Sequence, residues 1–285
     1  GDAAVTFLED QIAKIQDSST RIVYPEGAEP NILRAAADIV RRGFATPILL
    51  GKKEEIEQAA AEAGVSLEGI ALICPADDQR RTAYADMFAE ANHFPASAAA
   101  VMLKKPLYFG AMMVKAGDAD CIVAGLATET DEVVAAYKLI VGMAEGVNIP
   151  SCFTVLEIPN FEGPQGDLLA LSDTAINIDP SAEELADIAL SSARSVREIL
   201  GWEPRVAMLS FSTCGSANHE RAQKVAEAVA IAKTREPSLL IDGEMQLDTA
   251  IAPEIAIRKV KRPSDVAGKA NVLIFPNLDA ANIGT

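Results

Sequence analysis

The sequence predicts an α/β protein in which mainly parallel sheets are covered by helices on both faces. Three observations carry that prediction. Short apolar runs of strand length alternate with longer stretches of helical spacing along nearly the whole chain. Glycines stand where several helical stretches should stop. Aromatic content is low, at 5%, while Ala, Ile, Val and Leu abound, as suits helices packed on parallel strands.

In the first half, residues 5–15 place Val5, Leu8, Ile12 and Ile15 at helical spacing, and residues 21–24 read as a strand. A turn over 25–30 leads into a helix over 31–42, with Pro30 just before it and Gly43 as its stop. Residues 47–50 form a second strand, 53–63 a helix stopped by Gly64, and 70–74 a third strand. Helices follow over 80–90, 96–104 and 107–116, the last ending at Gly117. Residues 120–124 are a buried strand entering Gly125, and the helix over 128–142 opens with hydroxyls and acids.

The character changes near residue 145, which sets two domains, 1–145 and 146–285. Residues 152–158 read as a strand, 159–166 as a loop dense in turn residues, and 172–177 as a pairing strand. Ser181 and Glu184 have capping-box spacing ahead of an apolar stripe at Leu185, Ile188, Ala189, Val196 and Ile199. A strand over 206–211 empties into the small, hydroxyl-rich stretch 212–217, followed by a helix over 218–233. Then come a strand over 239–241, a turn at 242–244, a mostly helical 246–259, a strand over 271–275 and a polar loop over 276–284.

Composition excludes several function classes. The chain has 285 residues, 49% of them hydrophobic and 23% charged, so it is globular and not disordered. A net charge of −16 argues against nucleic acid or an anionic membrane surface as a partner. Any anionic substrate must therefore be held by local donors. Cys74, Cys121, Cys152 and Cys214 are widely spaced, without a CxxC pair, which fits reduced thiols in a cytoplasmic protein and no zinc site. No apolar run reaches membrane-spanning length, and no leader is expected.

Three loops at the carboxyl ends of strands carry small or hydroxyl residues: 125–130, 212–216 and 277–284. Ligands of open α/β sheets bind outside such strand ends. Glycine admits close backbone approach, hydroxyls donate hydrogen bonds, and helix N-termini favour anions. Convergence of the loops in a cleft between domains is one reading, and plain strand–helix connections are the other. No Walker A or GxGxxG pattern occurs, so nucleoside triphosphates and dinucleotides of the usual kinds have no support. His219 could act as a base, but a solvent-facing residue in a first helical turn is commoner; His93 reads as a loop residue. Cys214 near a helix N-terminus could be nucleophilic, yet no histidine stands beside it in sequence. Asp242 and Asp248 could orient a substrate or bind a metal, and capping the next helix is the default.

Five segments are similar to one family. VAMLSFSTCGSA (206–217), LLIDGEMQLDTAIAPEIA (239–256), VAGKANVLIFPNLDAANIG (266–284), SDTAINIDPSAEELADIAL (172–190) and PEGAEPNILRAA (25–36) resemble the phosphate acetyltransferase and phosphate butyryltransferase family. The match keeps chain order, is highly specific in the C-terminal half and looser in the N-terminal half. The wording around 211–217 and 242–250 resembles the acetyl branch more than the butyryl one.

The resemblance implies two α/β/α domains with an interdomain cleft, like isocitrate and isopropylmalate dehydrogenases, and a homodimer. It implies acyl transfer between coenzyme A and phosphate, with CoA or acyl-CoA and inorganic phosphate or acyl phosphate as substrates and no further cofactor or metal. The residues expected to face the substrates are Ser212, Thr213, Gly215, Ser216, Thr128, Thr130, Gln246, Asp248 and Asn282. Three departures bear on activity. Ala135 stands where the family carries an arginine, and 89–93 (Glu90, Ala91 and Asn92 within it) lacks a second one; Lys138, Arg80 or Arg81 are the available substitutes. The family's serine-arginine motif and catalytic aspartate fall beyond the position of Thr285, so no catalytic residue is assigned. The alternatives are a catalytically degenerate family member that senses ligand or oligomerises, and a metal-dependent decarboxylating dehydrogenase, for which neither an aspartate cluster nor a nicotinamide site is evident.

Overall fold

A computed structural model describes residues 6–15 and 19–285. The chain divides into two compact units, one ending at Gly142 and the next starting at Met143.

The first unit begins with α1 (Phe7–Lys14), capped by the Thr6 hydroxyl; the start expected at Val5 lies outside the described residues. There follow β1 (Arg21–Tyr24), α2 (Pro30–Arg42), β2 (Thr46–Leu50), α3 (Lys53–Ala63) and β3 (Ala71–Ile73). After them come α4 (Arg80–Asn92), α5 (Ala96–Met102), α6 (Pro106–Ala116), β4 (Cys121–Ile122) and α7 (Thr130–Ile140). Gly43, Gly64 and Gly117 end α2, α3 and α6 in the left-handed conformation (φ 73°, 66° and 80°), where a side chain would be strained. The strands form a parallel sheet in the order β3-β2-β1-β4.

Both faces of that sheet are buried, and neighbouring strand residues serve opposite sides. Val23, Ile48 and Leu50 pack with Phe109, Met112 and Met113 of α6. Tyr24 and Leu49 pack with Leu33 of α2 and Ile56 of α3.

The second unit starts with the hairpin pair β5 (Phe153–Glu157) and β6 (Leu168–Ser172), then α8 (Ala182–Ser195) with a π-helical turn at Val196–Leu200. The Ser181–Glu184 capping box forms as expected. β7 (Arg205–Leu209), α9 (Glu220–Arg235), β8 (Leu240–Met245), α10 (Leu247–Ile251), α11 (Pro253–Lys259), β9 (Val272–Ile274) and α12 (Leu278–Gly284) complete it. The sheet order is β5-β6-β9-β7-β8, and only the β5–β6 pair is antiparallel. Val206 and Met208 pack toward α8 and α9, while Ala207 and Leu209 pack on the opposite core with Met245 and Ala250.

Three expectations are corrected here. Residues 242–244 are not a turn but lie inside β8. Gly243 is required because β7 passes close by: a Cβ there would stand 2.7 Å from the Met208 carbonyl oxygen, at a φ of 153°. The strand expected over 172–177 does not run on past Ser172, the last residue of β6, because the Asp173 carboxylate gathers the N–H groups of Ala175, Ile176 and Asn177 into a turn. Residues 276–284 are not a loop: the Asn277 side chain accepts from the Ala280 N–H and starts α12. The stretch 246–259 is mostly helical as expected, in two helices, since Pro253 opens α11 after an extended Ala252.

Candidate functional site

The 212–217 stretch links the end of β7 to α9, and its backbone is wound around one carboxylate. Cys214 (φ 49°) and Gly215 (φ 78°) are both left-handed, which curls the chain inward. Ser212 Oγ and the Gly215 N–H each donate to Glu244 Oε1 at 2.7 Å, and the Cys214 N–H donates to the Glu244 carbonyl at 2.9 Å. The remaining N–H groups are also used. Ser212 donates to Ser210 Oγ, Thr213 to Ser216 Oγ, Ser216 to the Thr213 carbonyl and Ala217 to Ser212 Oγ. Ser216 Oγ lies 3.3 Å from Ser212 Oγ, and because Ser212 gives its proton to Glu244, Ser216 is the donor there. The stretch is built for an anion, and the anion it holds is Glu244.

The first unit repeats the arrangement after β4. Gly125, Leu126 and Ala127 donate their N–H groups to the Glu26 carboxylate at 3.3, 3.0 and 2.9 Å. Burial pushes the Glu26 carboxyl upward, but the Thr128 hydroxyl and these three N–H groups outweigh it and hold the group below its ordinary value. Thr130 is exposed and opens α7.

Asp242, two positions before Glu244 on β8, is a second buried carboxylate. Burial raises the Asp242 carboxyl, yet Arg262 at 2.6 and 2.8 Å, Ser264 at 2.6 Å and the Gly243 N–H draw it below the usual range. Neither Asp242 nor Asp248 caps a helix by side chain, as was expected of them. Asp248 instead pairs with Lys259 at 2.8 Å, and that ammonium holds its carboxyl low. Lys259 Nζ also donates to Gln246 Oε1 at 2.9 Å. Thr213 completes the link, with Oγ1 accepting from the Gln246 N–H at 3.0 Å and donating to Gln246 Oε1 at 3.3 Å.

In the second unit the structure thus brings together Ser212, Thr213, Gly215, Ser216, Gln246 and Asp248, with Asn282 exposed on α12. Thr128 and Thr130 belong to the first unit. His219 is a cap: its Nδ1 accepts from the Arg221 N–H, and its ring meets Phe211 edge-on. Burial raises the Cys214 thiol; Arg262 opposes the rise, and Asp242 and Glu244 add to it, so the thiolate is disfavoured. Ala135 and Lys138 are exposed on α7. Arg80 is committed to Asp78 at 2.9 and 2.7 Å, and Arg81 to the Ala76 carbonyl. The residues that sequence reasoning missed are Glu244, Glu26, Lys259 and Arg262. A buried glutamate inside the apolar run 239–245 was the one available signal.

Small-residue junctions at the carboxyl ends of parallel strands stand where ligands of open α/β sheets bind. A family model described as phosphate acetyl/butaryl transferase matches residues 6–285. The phosphate acetyltransferase of Thermoanaerobacterium thermosaccharolyticum is 43% identical over 284 residues, covering 98% of this chain and 85% of that protein. That of Acetivibrio thermocellus is 38% identical over 98% of this chain and 84% of its own. A phosphotransacetylase structure from Streptococcus pyogenes superposes with a TM-score of 0.87 at 34% identity, covering 99% of this chain and 84% of that one. The EutD phosphotransacetylase of Staphylococcus aureus gives 0.86 at 34% identity, covering 96% and 84%. This chain belongs to the phosphate acetyl/butaryl transferase family, and it is an acyltransferase with the fold of the phosphotransacetylases.

Proposed function

We propose that the chain catalyses reversible acetyl transfer between coenzyme A and inorganic phosphate. The CoA thiolate attacks the carbonyl carbon of acetyl phosphate, the C–O bond to phosphate breaks, and phosphate leaves with both electrons of that bond; the reverse reaction forms acetyl phosphate. The observation that carries this reading is the 43% identity with a phosphate acetyltransferase over 98% of the chain, including the 206–217 and 239–256 segments. The geometry supports direct transfer. A raised Cys214 thiol and a His219 engaged as a cap offer no nucleophile–base pair for an acyl-enzyme. Coenzyme A enters as a substrate, and no separate cofactor is invoked. The residues proposed to meet the substrates are Gly215, Ser216, Gln246, Asp248 and Asn282 in the second unit and Thr128 and Thr130 in the first, while the buried Ser212 and Thr213 act by shaping the loop from within.

A homodimer is part of the proposal, resting on the family resemblance, and sedimentation equilibrium showing a monomer would remove it. Four unpaired thiols among the described residues support the cytoplasm as the compartment. No helix among the described residues is long and apolar enough to cross a membrane.

Thioester formation from CoA with acetyl, propionyl and butyryl phosphate tests the reaction. Acetyl phosphate should turn over fastest, and no turnover with any of the three would reject the proposal. One observation favours a second reading, a family member that binds without turnover. Ala135 and the 89–93 segment lack the two arginines that the family resemblance leads one to expect. Calorimetry showing CoA binding in a protein without turnover would select it.

A further inference from the structure

The hydrogen-bond network leaves one pair of donors at this site oriented but unused. Gln246 Oε1 takes bonds from Lys259 Nζ at 2.9 Å and Thr213 Oγ1 at 3.3 Å. An ammonium has no acceptor capacity, so the oxygen of the amide must be the end that faces Lys259. The other end, Nε2, therefore points away with two N–H donors. It has no protein partner among the described residues, and it is not an enclosed polar atom, a condition shown by the Tyr137 hydroxyl. Gln246 is half-buried, so these donors meet solvent from a fixed base.

We infer that Gln246 Nε2 donates to the carbonyl oxygen of the transferred acyl group, and that Lys259 is the positioning residue that fixes the amide's orientation. The inference rests on the acyl-transfer reading above and deepens it. Charge decides between the carbonyl and the phosphate as the acceptor. Lys259 is neutralised by Asp248 at 2.8 Å, Gln246 is neutral, and the buried Glu244 stands two positions before Gln246 on β8. That surrounding has no net positive charge to offer a phosphate dianion. It suits an oxygen that is neutral in the ground state and gains charge only as the tetrahedral centre forms. In the step itself, the C=O π pair moves onto that oxygen as the thiolate attacks, and it returns when phosphate departs. The N–H groups keep their protons throughout.

The test is steady-state kinetics on the full chain with CoA and acetyl phosphate, comparing Gln246→Glu, Lys259→Met and Lys259→Arg. Gln246→Glu replaces donors by acceptors and should lower kcat about 100-fold with KM for acetyl phosphate changed less than about threefold. Lys259→Met should lower kcat in the same pattern, and Lys259→Arg, which can reach both Asp248 and the amide oxygen, should recover most of it. Unaltered kcat in Gln246→Glu would overturn the assignment, and unaltered kcat with a raised KM for acetyl phosphate would make Gln246 a ligand of the phosphate group instead. Side-chain amide NMR separates this from failure of the reaction itself. Wild type should show one Gln246 amide pair, and Lys259→Met two exchanging forms or a shifted pair; identical spectra would overturn the positioning role even where no turnover is seen. Should Lys259→Met not fold, Thr213→Val serves the same comparison through the second bond to Oε1.

Discussion

Ser212 Oγ donates a 2.7 Å hydrogen bond to Glu244 Oε1, across 32 positions of sequence and with both residues buried. The same oxygen takes the Gly215 N–H. Glu244 is thus the template on which the 212–217 stretch is shaped. Glu244→Ala should destabilise the second unit by roughly 3 kcal/mol, since two bonds to a charged acceptor are lost and their donors are stranded. Glu244→Gln keeps an acceptor oxygen and should restore more than half of that. Chemical denaturation measures both, and equal stability of the two variants would remove the template role.

Gly243 of β8 lies opposite Met208 of β7. A Cβ would stand 2.7 Å from the Met208 carbonyl oxygen and 2.8 Å from its Cβ. Gly243→Ala should therefore cost roughly 3 kcal/mol through overpacking and strain at positive φ. A thermal melt within a degree of wild type would contradict that geometry.

The Asp242–Arg262 pair predicts a pH signature. Asp242 is held below its ordinary value by Arg262 and Ser264 against the pull of burial. A depressed carboxyl contributes stability above its unfolded pKa, about 4, and that contribution is lost as pH falls through the lower native value. Arg262→Ala should cost roughly 2 kcal/mol at neutral pH, less than a fully buried pair because Arg262 is half in solvent. The difference from wild type should shrink as the pH is lowered from about 5 to 2. A difference that grows on acidification would reverse the assigned sign.

How much of this was legible in the sequence differs by the range of the interaction involved. Gly43, Gly64 and Gly117 and the Ser181–Glu184 box were readable because each is settled within one helical turn. The placement of 242–244 was not, because whether Asp-Gly-Glu turns or runs on depends on the neighbouring Met208 backbone. The small residues of 276–284 concealed a helix that the Asn277 cap starts. At the site, anion-binding character was legible in Ser212, Thr213 and Gly215, but its occupant was not. Nothing local to 206–217 points to Glu244, nor anything near Gln246 to Lys259, thirteen residues on.

Ala135 supplies a gain-of-function prediction. It is exposed on α7, so an arginine there meets no packing cost. On the proposed function, Ala135→Arg should raise kcat/KM for acetyl phosphate about tenfold, the equivalent of one charge-assisted bond of about 1.4 kcal/mol. An unchanged kcat/KM would show that this position no longer serves the substrate anion.

The reaction run from acetyl-CoA tests the central claim most directly. Free CoA thiol is followed with and without inorganic phosphate, and acetyl phosphate is assayed in parallel. The account predicts thiol release only when phosphate is present, with one acetyl phosphate formed per thiol. Folded protein that releases no thiol in the presence of phosphate, or releases it equally without phosphate, would contradict it.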